Sequence, residues 1–226
     1  MSTYLITGAT RGIGRAVVDE LADDDLILVA RDAEALSTLC KSLPSARPIA
    51  VDFARPEGIA AAVDAAGRPD RLDGIVHSAG VSVRGRIAEI GPADWTDQFA
   101  VNVVAVAELT RLALPALRAA GGAAVFVNSG AGRRVFGPGG GSYAASKHAL
   151  VAVAEALRLE EPEVRVTTVF PGRVATDMQR ELRAYEGGDY RAEDYLAPAI
   201  VARIIADTLR LPREATVSDV TVVPRR

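Results

Sequence analysis

Short apolar runs alternate with longer amphipathic stretches along the chain. The short runs are rich in β-branched and apolar residues and predict strands, and the longer stretches have the apolar spacing of helices. Seven strands are predicted, at Tyr4–Thr7, Leu26–Ala30, Pro48–Val51, Gly74–His77, Ala124–Asn128, Arg165–Phe170 and Asp219–Val222. Strands that alternate with helices are typical of βαβ units, whose right-handed crossovers build a parallel sheet. We therefore expect an α/β fold with a doubly wound parallel sheet of seven strands and helices on both faces.

Two of the predicted helices carry apolar or small residues on more than one side. Residues Ala93–Ala120 form one of them, and its apolar positions are Phe99, Val101, Val103, Val104, Val106, Leu109, Leu112, Ala113 and Leu117. The other begins at Tyr143 and repeats small residues, at Ala145, Ala149, Ala152 and Ala156. Soluble monomers seldom expose large apolar patches. We expect these helices to form the interface of a homodimer or homotetramer, and packing entirely within one subunit is the alternative.

Length and composition indicate one domain that handles a small molecule. The chain has 226 residues and a net charge of −3, so residues 1–226 suffice for one core, and charges of both signs are interspersed without a basic patch for nucleic acid. Its single cysteine, Cys40, and two distant histidines offer no metal cluster. We expect no metal and no nucleic-acid partner.

The chain gives no signal for export or for membrane insertion. Strand residues begin directly after the first Met, which leaves no room for the charged and apolar regions of a signal peptide. The most apolar stretch is interrupted by Asn102, Glu108, Arg111 and Pro115. We expect a cytoplasmic protein without a membrane span.

A glycine-rich turn follows the first strand and precedes an amphipathic helix. Six of its residues are candidate cofactor contacts: Gly8, Thr10, Arg11, Gly12, Ile13 and Gly14. Glycines allow a tight turn and close approach of a pyrophosphate, whose charge is stabilised by the free N–H groups at the helix N-terminus. The strand, turn and helix together predict a Rossmann-type dinucleotide site.

The end of the second strand indicates which dinucleotide is bound. An NAD site usually presents an acidic residue there to the ribose hydroxyls, but Ala30 is neutral. Arg31 and Arg11 are suited to pair with the 2′-phosphate of NADP. Asp32 is the alternative acidic residue, although it is better placed to cap the next helix. We expect NADP (NADPH) as the cofactor.

Tyr143 and Lys147 lie four residues apart in a predicted helix, and so on one face of it. A fixed positive charge favours the phenolate form of tyrosine and brings its proton within reach of transfer near neutral pH. A Tyr and a Lys at this spacing often occur by chance. The position of this pair after the dinucleotide turn makes a catalytic role the better interpretation.

The glycine spacing GxxxGxG and the YxxxK motif, in this order, resemble the short-chain dehydrogenase/reductase family. The resemblance covers nearly the whole chain. It implies that Tyr143 is the catalytic acid/base, that Lys147 assists it and binds the nicotinamide ribose, and that Ser129 orients the substrate carbonyl. It also implies that Asn102 holds a water in a proton relay from Lys147. The alternative for Asn102 is a helix-kink residue bonded to backbone.

One departure from the family concerns Ser129. It lies fourteen residues before Tyr143, one more than is usual in the family, and Gly130 stands at the usual position. Glycine has no hydroxyl, so we expect a loop that is one residue longer and places Ser129 in the serine role.

Further cofactor contacts are implied by the same resemblance. Asp52 and Phe53 follow the third strand, where the family contacts adenine, and a turn-forming role is the alternative for Asp52. Ala79 and Gly80 permit close approach after the fourth strand, where His77 is expected to be structural. A PGxxxT segment after the sixth strand implies contacts to the nicotinamide by Pro171, Gly172, Val174 and Thr176.

Together these features predict an NADP-dependent oxidoreductase. It would transfer a hydride reversibly between nicotinamide and a carbonyl or alcohol substrate, with residues 173–195 as a lid. A non-catalytic NADP-binding regulatory protein on the same fold is the alternative. An epimerase or dehydratase of the extended branch of the family, which also uses YxxxK, is disfavoured, because the glycine spacing and the longer C-terminal substrate domain of that branch are missing.

Overall fold

The computed structural model describes residues 1–225, so the last residue of the predicted 1–226 domain lies outside the described residues. All seven predicted strands are present, with ends that differ by at most two residues. They are β1 Thr3–Thr7, β2 Asp25–Ala30, β3 Ala46–Ala50, β4 Gly74–His77, β5 Ala123–Val127, β6 Arg165–Pro171 and β7 Asp219–Val222. Strand β3 begins before Pro48, which an edge strand tolerates because one side of its backbone needs no partner.

The strands form one parallel sheet in the order β3-β2-β1-β4-β5-β6-β7. The order reverses between β1 and β4, which pair directly, with Ile6 opposite Val76. A crevice opens at such a reversal, at the carboxyl ends of the strands, and ligands of doubly wound folds bind there. The predicted Rossmann-type fold is confirmed.

Helices cover both faces of the sheet. Their bounds are α1 Gly12–Glu20, α2 Ala33–Lys41, α3 Ile59–Ala65, α4 Pro92–Phe99, α5 Ala105–Ala120, α6 Gly141–Glu160, α7 Asp177–Tyr185 and α8 Pro198–Leu209. One apolar core joins α3, α5 and α6 to the sheet, and a second joins α1, α2 and α8 to its other face. Two layers of helices thus enclose the strands, and only the strand ends and the loops after them remain accessible to a ligand.

A π-helical turn separates α4 from α5. The sequence predicts one helix over Ala93–Ala120, but residues Ala100–Val104 form a π turn with Asn102 at its centre. Residues Pro92–Ala120 are long and apolar enough to cross a membrane, with a mean hydropathy of 1.5 over the most apolar window, yet 61% of that window is buried inside the fold. The apolar character of this helix is therefore largely accounted for by core packing.

Packing within the subunit covers more of these helices than the sequence pattern suggests. Leu109 and Leu117 are fully buried, because α3 and α6 flank α5 in addition to the sheet. Val104 on the π turn remains half exposed, and Leu159 near the end of α6 is 84% exposed. Some apolar surface therefore remains for the predicted subunit interface.

His77 at the end of β4 lies inside the core. Its ring stacks on Phe126, its Nε2 lies 2.9 Å from the hydroxyl of Thr110, and burial lowers the pKa of His77 to about 3. The imidazole is therefore neutral at physiological pH, as suits a structural residue.

Candidate functional site

The glycine turn after β1 lies against the residues that follow β4. Gly8 has a φ of +67°, and a Cβ there would come within 3.0 Å of the backbone of Ala79. The hydroxyl of Thr7 accepts hydrogen bonds from the N–H groups of Ser78 and Ala79, at 2.9 and 3.0 Å. The Thr7 side chain thus ties the glycine turn to the residues after β4 at the strand-order reversal.

The N-terminus of α1 presents free N–H groups to this crevice. Gly12 has a φ of +59°, and a Cβ on Gly14 would overlap the carbonyl oxygen of Gly8. The cap residue Arg11 supplies no side-chain hydrogen bond to the helix. Side-chain-free backbone and an uncapped helix N-terminus fit a pyrophosphate group. Within the same turn, Thr10 is partly accessible, whereas the Ile13 side chain packs into the core.

The end of β2 carries an exposed arginine and a carboxylate that caps the next helix. The Asp32 side chain caps α2 by accepting hydrogen bonds from the N–H groups of Glu34 and Ala35, at 3.1 and 2.9 Å, as the sequence indicates. Arg31 beside it is exposed. Arg11 is also exposed and lies 3.7 Å from Asp177 in a loose ion pair. Two exposed guanidinium groups are therefore present, one after β2 and one in the glycine turn.

Asp52 and Phe53 lie at the end of the sheet where an adenine ring would be bound. The Asp52 carboxylate accepts a hydrogen bond from the N–H of Ala54 at 3.0 Å, so it shapes the turn in the way the alternative interpretation describes. Phe53 is buried in the core. Any contact from Phe53 to a ligand would therefore have to come from its backbone.

The segment after β6 borders the opposite side of the crevice. Pro171 ends the strand, and the N–H of Gly172 donates to the carbonyl of Val222 at 2.7 Å. Val174 is buried and bridges to Leu196. Thr176 caps α7 and faces Gly12, where a Cβ would lie 3.4 Å from its methyl group. The structure therefore brings the glycine turn and the PGxxxT segment together.

Tyr143 and Lys147 project from α6 toward the end of β5. Both are buried, and the Lys147 Nζ lies 5.8 Å from the centre of the Tyr143 ring. The Lys147 Nζ donates to the carbonyl of Val127 at 3.0 Å. Burial lowers the pKa of Lys147 to about 8. The predicted pair is present, and its cation is anchored on a strand end.

Ser129, and not Gly130, interacts with Tyr143. Ser129 caps a short 3-10 turn over Gly130–Gly132, and hydrogen bonding by its side chain acts to lower the pKa of the Tyr143 phenol. Asn128, which sequence reasoning missed as a site residue, holds this arrangement. Its Oδ1 accepts from the N–H of Ser129 at 2.8 Å, and its Nδ2 donates to the carbonyl of Lys147 at 3.1 Å.

The side chain of Asn102 joins three elements around the site. Its Oδ1 accepts from the N–H of Val81, and its Nδ2 donates to the carbonyl of Val81 and to the hydroxyl of Ser146, at 2.9 to 3.0 Å. This is the backbone-bonded kink residue of the alternative interpretation. A Cβ on Gly80 would lie 3.3 Å from Asn102 Oδ1 and 3.8 Å from the Lys147 Nζ, so these residues are neighbours. Both N–H groups of Asn102 Nδ2 and one acceptor site of Oδ1 are engaged, so a water in a proton relay would have to bond the second acceptor site of Oδ1 or the backbone.

Arg84 is a site residue that the sequence gave no reason to select. Its guanidinium carbon lies 5.1 Å from the centre of the Tyr143 ring. It lies with Arg86 in the segment between β4 and α4. Arginines in a loop are ordinarily solvated charges. Only the packing of this segment against α6 reveals the position of Arg84.

The protonation of Tyr143 follows from these neighbours. Burial raises the pKa of the phenol above its usual value, while hydrogen bonding with Ser129 and the charge of Arg84 act in the opposite direction. Since the pKa of Lys147 is about 8, its ammonium loses its proton before the phenol ionises. At neutral pH the phenol of Tyr143 is therefore protonated and lies near the cations of Arg84 and Lys147. A general acid has to be protonated in this way.

Replacing Asn102 with Ala is expected to destabilise the fold by about 3 kcal/mol, because the buried N–H and carbonyl of Val81 lose their partner. Ser146→Ala, which removes only one hydrogen bond to Asn102, should cost about 1 kcal/mol. The free energy of unfolding from chemical denaturation measures both. Equal losses in the two variants would contradict the anchoring role of Asn102.

Comparisons with known proteins agree with this geometry. Residues 2–187 match the model of the short chain dehydrogenase family. The chain is 31% identical to sulfoacetaldehyde reductase 2 of Chromohalobacter salexigens over 98% of this chain and 94% of the relative. It is 32% identical to a glycine betaine reductase of Emericella nidulans over 98% of this chain, but it spans only 18% of that longer protein.

A solved structure shows the same fold. The alcohol dehydrogenase of the archaeon Thermococcus sibiricus, complexed with 5-hydroxy-NADP, superimposes with a TM-score of 0.88 at 26% identity, over 99% of this chain and 96% of the other. The matched family model, the relatives and the shared architecture lead to one conclusion: the chain belongs to the short-chain dehydrogenase/reductase family of oxidoreductases.

Proposed function

We propose that this protein is an NADPH-dependent reductase of aldehydes or ketones that also catalyses the reverse oxidation of alcohols. The observation that carries the proposal is the convergence of Tyr143, Lys147 and Ser129 at the carboxyl edge of the sheet, beside the glycine turn. A buried acid, a cation and a hydroxyl donor are the groups that reduction of a carbonyl requires from the protein.

Residues of the crevice are suited to hold the cofactor. The backbone of Gly8, Gly12 and Gly14 would receive the pyrophosphate, and the PGxxxT segment would hold the nicotinamide end. When bound, the nicotinamide supplies the hydride of the reaction. Asp52 and the backbone of Phe53, with Ala79 and Gly80, are our candidates for the contacts in between.

The protein's own groups would manage the carbonyl oxygen and its proton. Ser129 would donate a hydrogen bond to the oxygen and stabilise the negative charge that develops there. Tyr143, protonated at neutral pH, would supply the proton. The ammonium of Lys147 would stabilise the phenolate left behind, and the same group would bind ribose hydroxyls after leaving the Val127 carbonyl.

NADP is proposed over NAD because Ala30 is neutral and the nearby Asp32 uses its Oδ1 to cap α2. The Asp32 carboxylate caps α2, whereas Arg31 and Arg11 are exposed. Guanidinium groups pair well with phosphates through charge-assisted hydrogen bonds. The similar archaeal alcohol dehydrogenase was solved with an NADP derivative, and the similar bacterial relative is named as a reductase of an aldehyde, which supports the same direction.

The proposal extends to the setting of the protein. We propose a single cytoplasmic domain that works as a homodimer or homotetramer through the exposed parts of α5 and α6. Residues 173–195 would act as a lid, since α7 lies within this range and Tyr185 packs against Gly139 of the glycine-rich loop before α6. A small carbonyl or alcohol is the proposed partner, without nucleic acid or membrane.

The alternative, a non-catalytic NADP-binding regulator, makes a different prediction for the same protein. It would bind NADPH and turn over no carbonyl. The presence of Tyr143, Lys147 and Ser129 in one buried cluster favours the enzyme, because a regulator has no need to bury an amine beside a phenol.

The first test follows the absorbance of NADPH at 340 nm with a panel of aldehydes, ketones and keto acids. Wild-type protein is expected to oxidise NADPH, and Tyr143→Phe to lose at least about 1,000-fold in kcat/KM because the proton donor is gone. Ser129→Ala should lose about 100-fold. Tight cofactor binding without turnover of any carbonyl would favour the regulator.

Arg31→Ala is expected to raise the KM for NADPH about 30-fold and to leave the KM for NADH nearly unchanged, since only the former carries a 2′-phosphate. Steady-state kinetics with each cofactor give the KM for NADPH and the KM for NADH in wild type and variant. The exposed Arg15, which pairs with Asp19 on α1, offers a control in Arg15→Ala. An equal effect of Arg31→Ala on both cofactors would contradict the assignment.

The reduction is expected to slow as pH rises above about 8. The pKa of Lys147 is lowered to about 8, so its charge is present below that pH and is lost above it, while Tyr143 stays protonated. A profile of kcat/KM against pH should be level near neutrality and fall through pH 8. Lys147→Arg keeps its charge, so its residual activity should fall at higher pH. A wild-type profile that stays level up to pH 10 would contradict the role of the ammonium.

A further inference from the structure

We propose that Arg84 is a specificity residue that binds the anionic group of a small carbonyl substrate, in the simplest case a carboxylate. This inference rests on the proposed function and names its substrate class: short aldehyde or keto acids in place of neutral carbonyl compounds. Three observations on the Arg84 guanidinium support it: where the group lies, its Nε, which is unpaired within the described residues, and the charged groups around it.

The backbone around Arg84 is fixed by neighbours on both sides. The N–H of Val83 donates to the buried side chain of Gln98, and the carbonyl of Val83 accepts from the hydroxyl of Ser142 at 3.3 Å. The N–H of Gly85 donates to the carbonyl of Gly139 at 3.2 Å. The segment is therefore tied to α4, to α6 and to the glycine-rich loop, and the arginine is held at the site.

Its guanidinium lies beside the reacting group. Its guanidinium carbon lies 5.1 Å from the centre of the Tyr143 ring, over the ring of the residue that would protonate the substrate oxygen. A Cβ on Gly140 would lie 3.1 Å from Arg84 Nη1, so the absence of a side chain there leaves space for the guanidinium. A molecule with its carbonyl at Tyr143 and an anionic group a few bonds away would reach Arg84.

Arg84 has hydrogen-bonding capacity that the described part of the chain leaves unused. Its Nε is buried and has no partner among residues 1–225. Neighbouring arginines differ in this respect: Arg173 and Arg183 share the carboxylate of Glu186, at 3.0 and 2.6 Å. Burial lowers the pKa of Arg84, because the charged guanidinium is kept from water. A ligand carboxylate would supply the partner by bidentate hydrogen bonding.

The local balance of charge favours an anion. The charged neighbours of Arg84 are Arg173 and the carboxylate of Glu186 on the lid, and Lys147 is buried on the other side of Tyr143. That carboxylate is already shared by two guanidinium groups. The rim also carries the exposed apolar side chains of Ile87 and Phe136. A short chain with one charged end fits such a combination of surfaces.

The test compares an acid with its methyl ester, which lacks the negative charge and carries an added methyl group. The cofactor-loaded protein is given 4-oxobutanoate or its methyl ester, with NADPH, and kcat/KM is measured for each. Wild type is expected to prefer the acid, and Arg84→Gln to lower the acid-to-ester ratio about 30-fold. Arg84→Lys, which keeps a charge without the planar fork, should retain part of the preference.

A matched control tests whether any cation at the rim has this effect. Arg134 is exposed and stacks on Phe136, with its guanidinium carbon 4.6 Å from the ring centre. Arg134→Gln is expected to leave the acid-to-ester ratio within about twofold of wild type, because a solvated charge contributes little. An equal fall in both arginine variants would overturn the assignment to Arg84.

Other outcomes separate this inference from the proposed function. Suppose that wild type reduces the ester and that Arg84→Gln lowers kcat/KM equally for both substrates. The proposed reductase activity is then supported, the anion site is overturned, and Arg84 acts on Tyr143 instead. If neither substrate is reduced, the proposed function is in doubt, and calorimetry of succinate binding to the NADP⁺-loaded protein decides the inference. Binding by wild type that is lost in Arg84→Gln supports the anion site, and no binding by wild type overturns it.

Discussion

A buried ammonium bound to a strand-end carbonyl sets the geometry of this protein. The Lys147 Nζ lies almost without solvent exposure and donates to the carbonyl of Val127 at the end of β5. Removing a cation from water is unfavourable, and this desolvation lowers the pKa of Lys147. A buried cation therefore needs hydrogen-bond partners that are held in place around it. The hydrogen bonds of Asn128 and Asn102 provide that fixation, because they tie α6 to the end of β5 and to the segment after β4. Tyr143, one helical turn away, is positioned as a result.

The same edge of the sheet explains why the cofactor site lies beside this cluster. Parallel strands end together, so the turns after β1 and β4 meet where the strand order reverses. Gly8 lies against Ala79, and Gly80 lies beside Asn102 and Lys147, at distances that leave no room for larger side chains. The backbone surface for a dinucleotide and the buried acid are thus two parts of one packed region.

Much of the fold and part of the site could be predicted from the sequence, for identifiable reasons. Apolar runs predicted the central strands because both of their faces are buried, as in β4 and β5. Tyr143 and Lys147 could be paired because helical spacing is local. The π turn at Asn102 escaped prediction, since its hydrogen bonds go to Val81 and Ser146, which are distant in sequence. Arg84 escaped for the same reason: only the tertiary packing of its loop brings it to Tyr143. The extra residue between Ser129 and Tyr143 was recognisable, but its effect depended on the 3-10 turn that Ser129 caps.

The central claim is that this buried cluster serves transfer of a hydride to a carbonyl carbon. The most direct measurement is a single turnover of an aldehyde with NADPH that carries deuterium on the transferred position of nicotinamide C4, followed by mass spectrometry of the product. The account predicts one deuterium on the carbinol carbon with wild-type protein, and no labelled alcohol with Tyr143→Phe although the cofactor still binds. An unlabelled alcohol from wild type, or label transfer at an undiminished rate without the phenol, would contradict it.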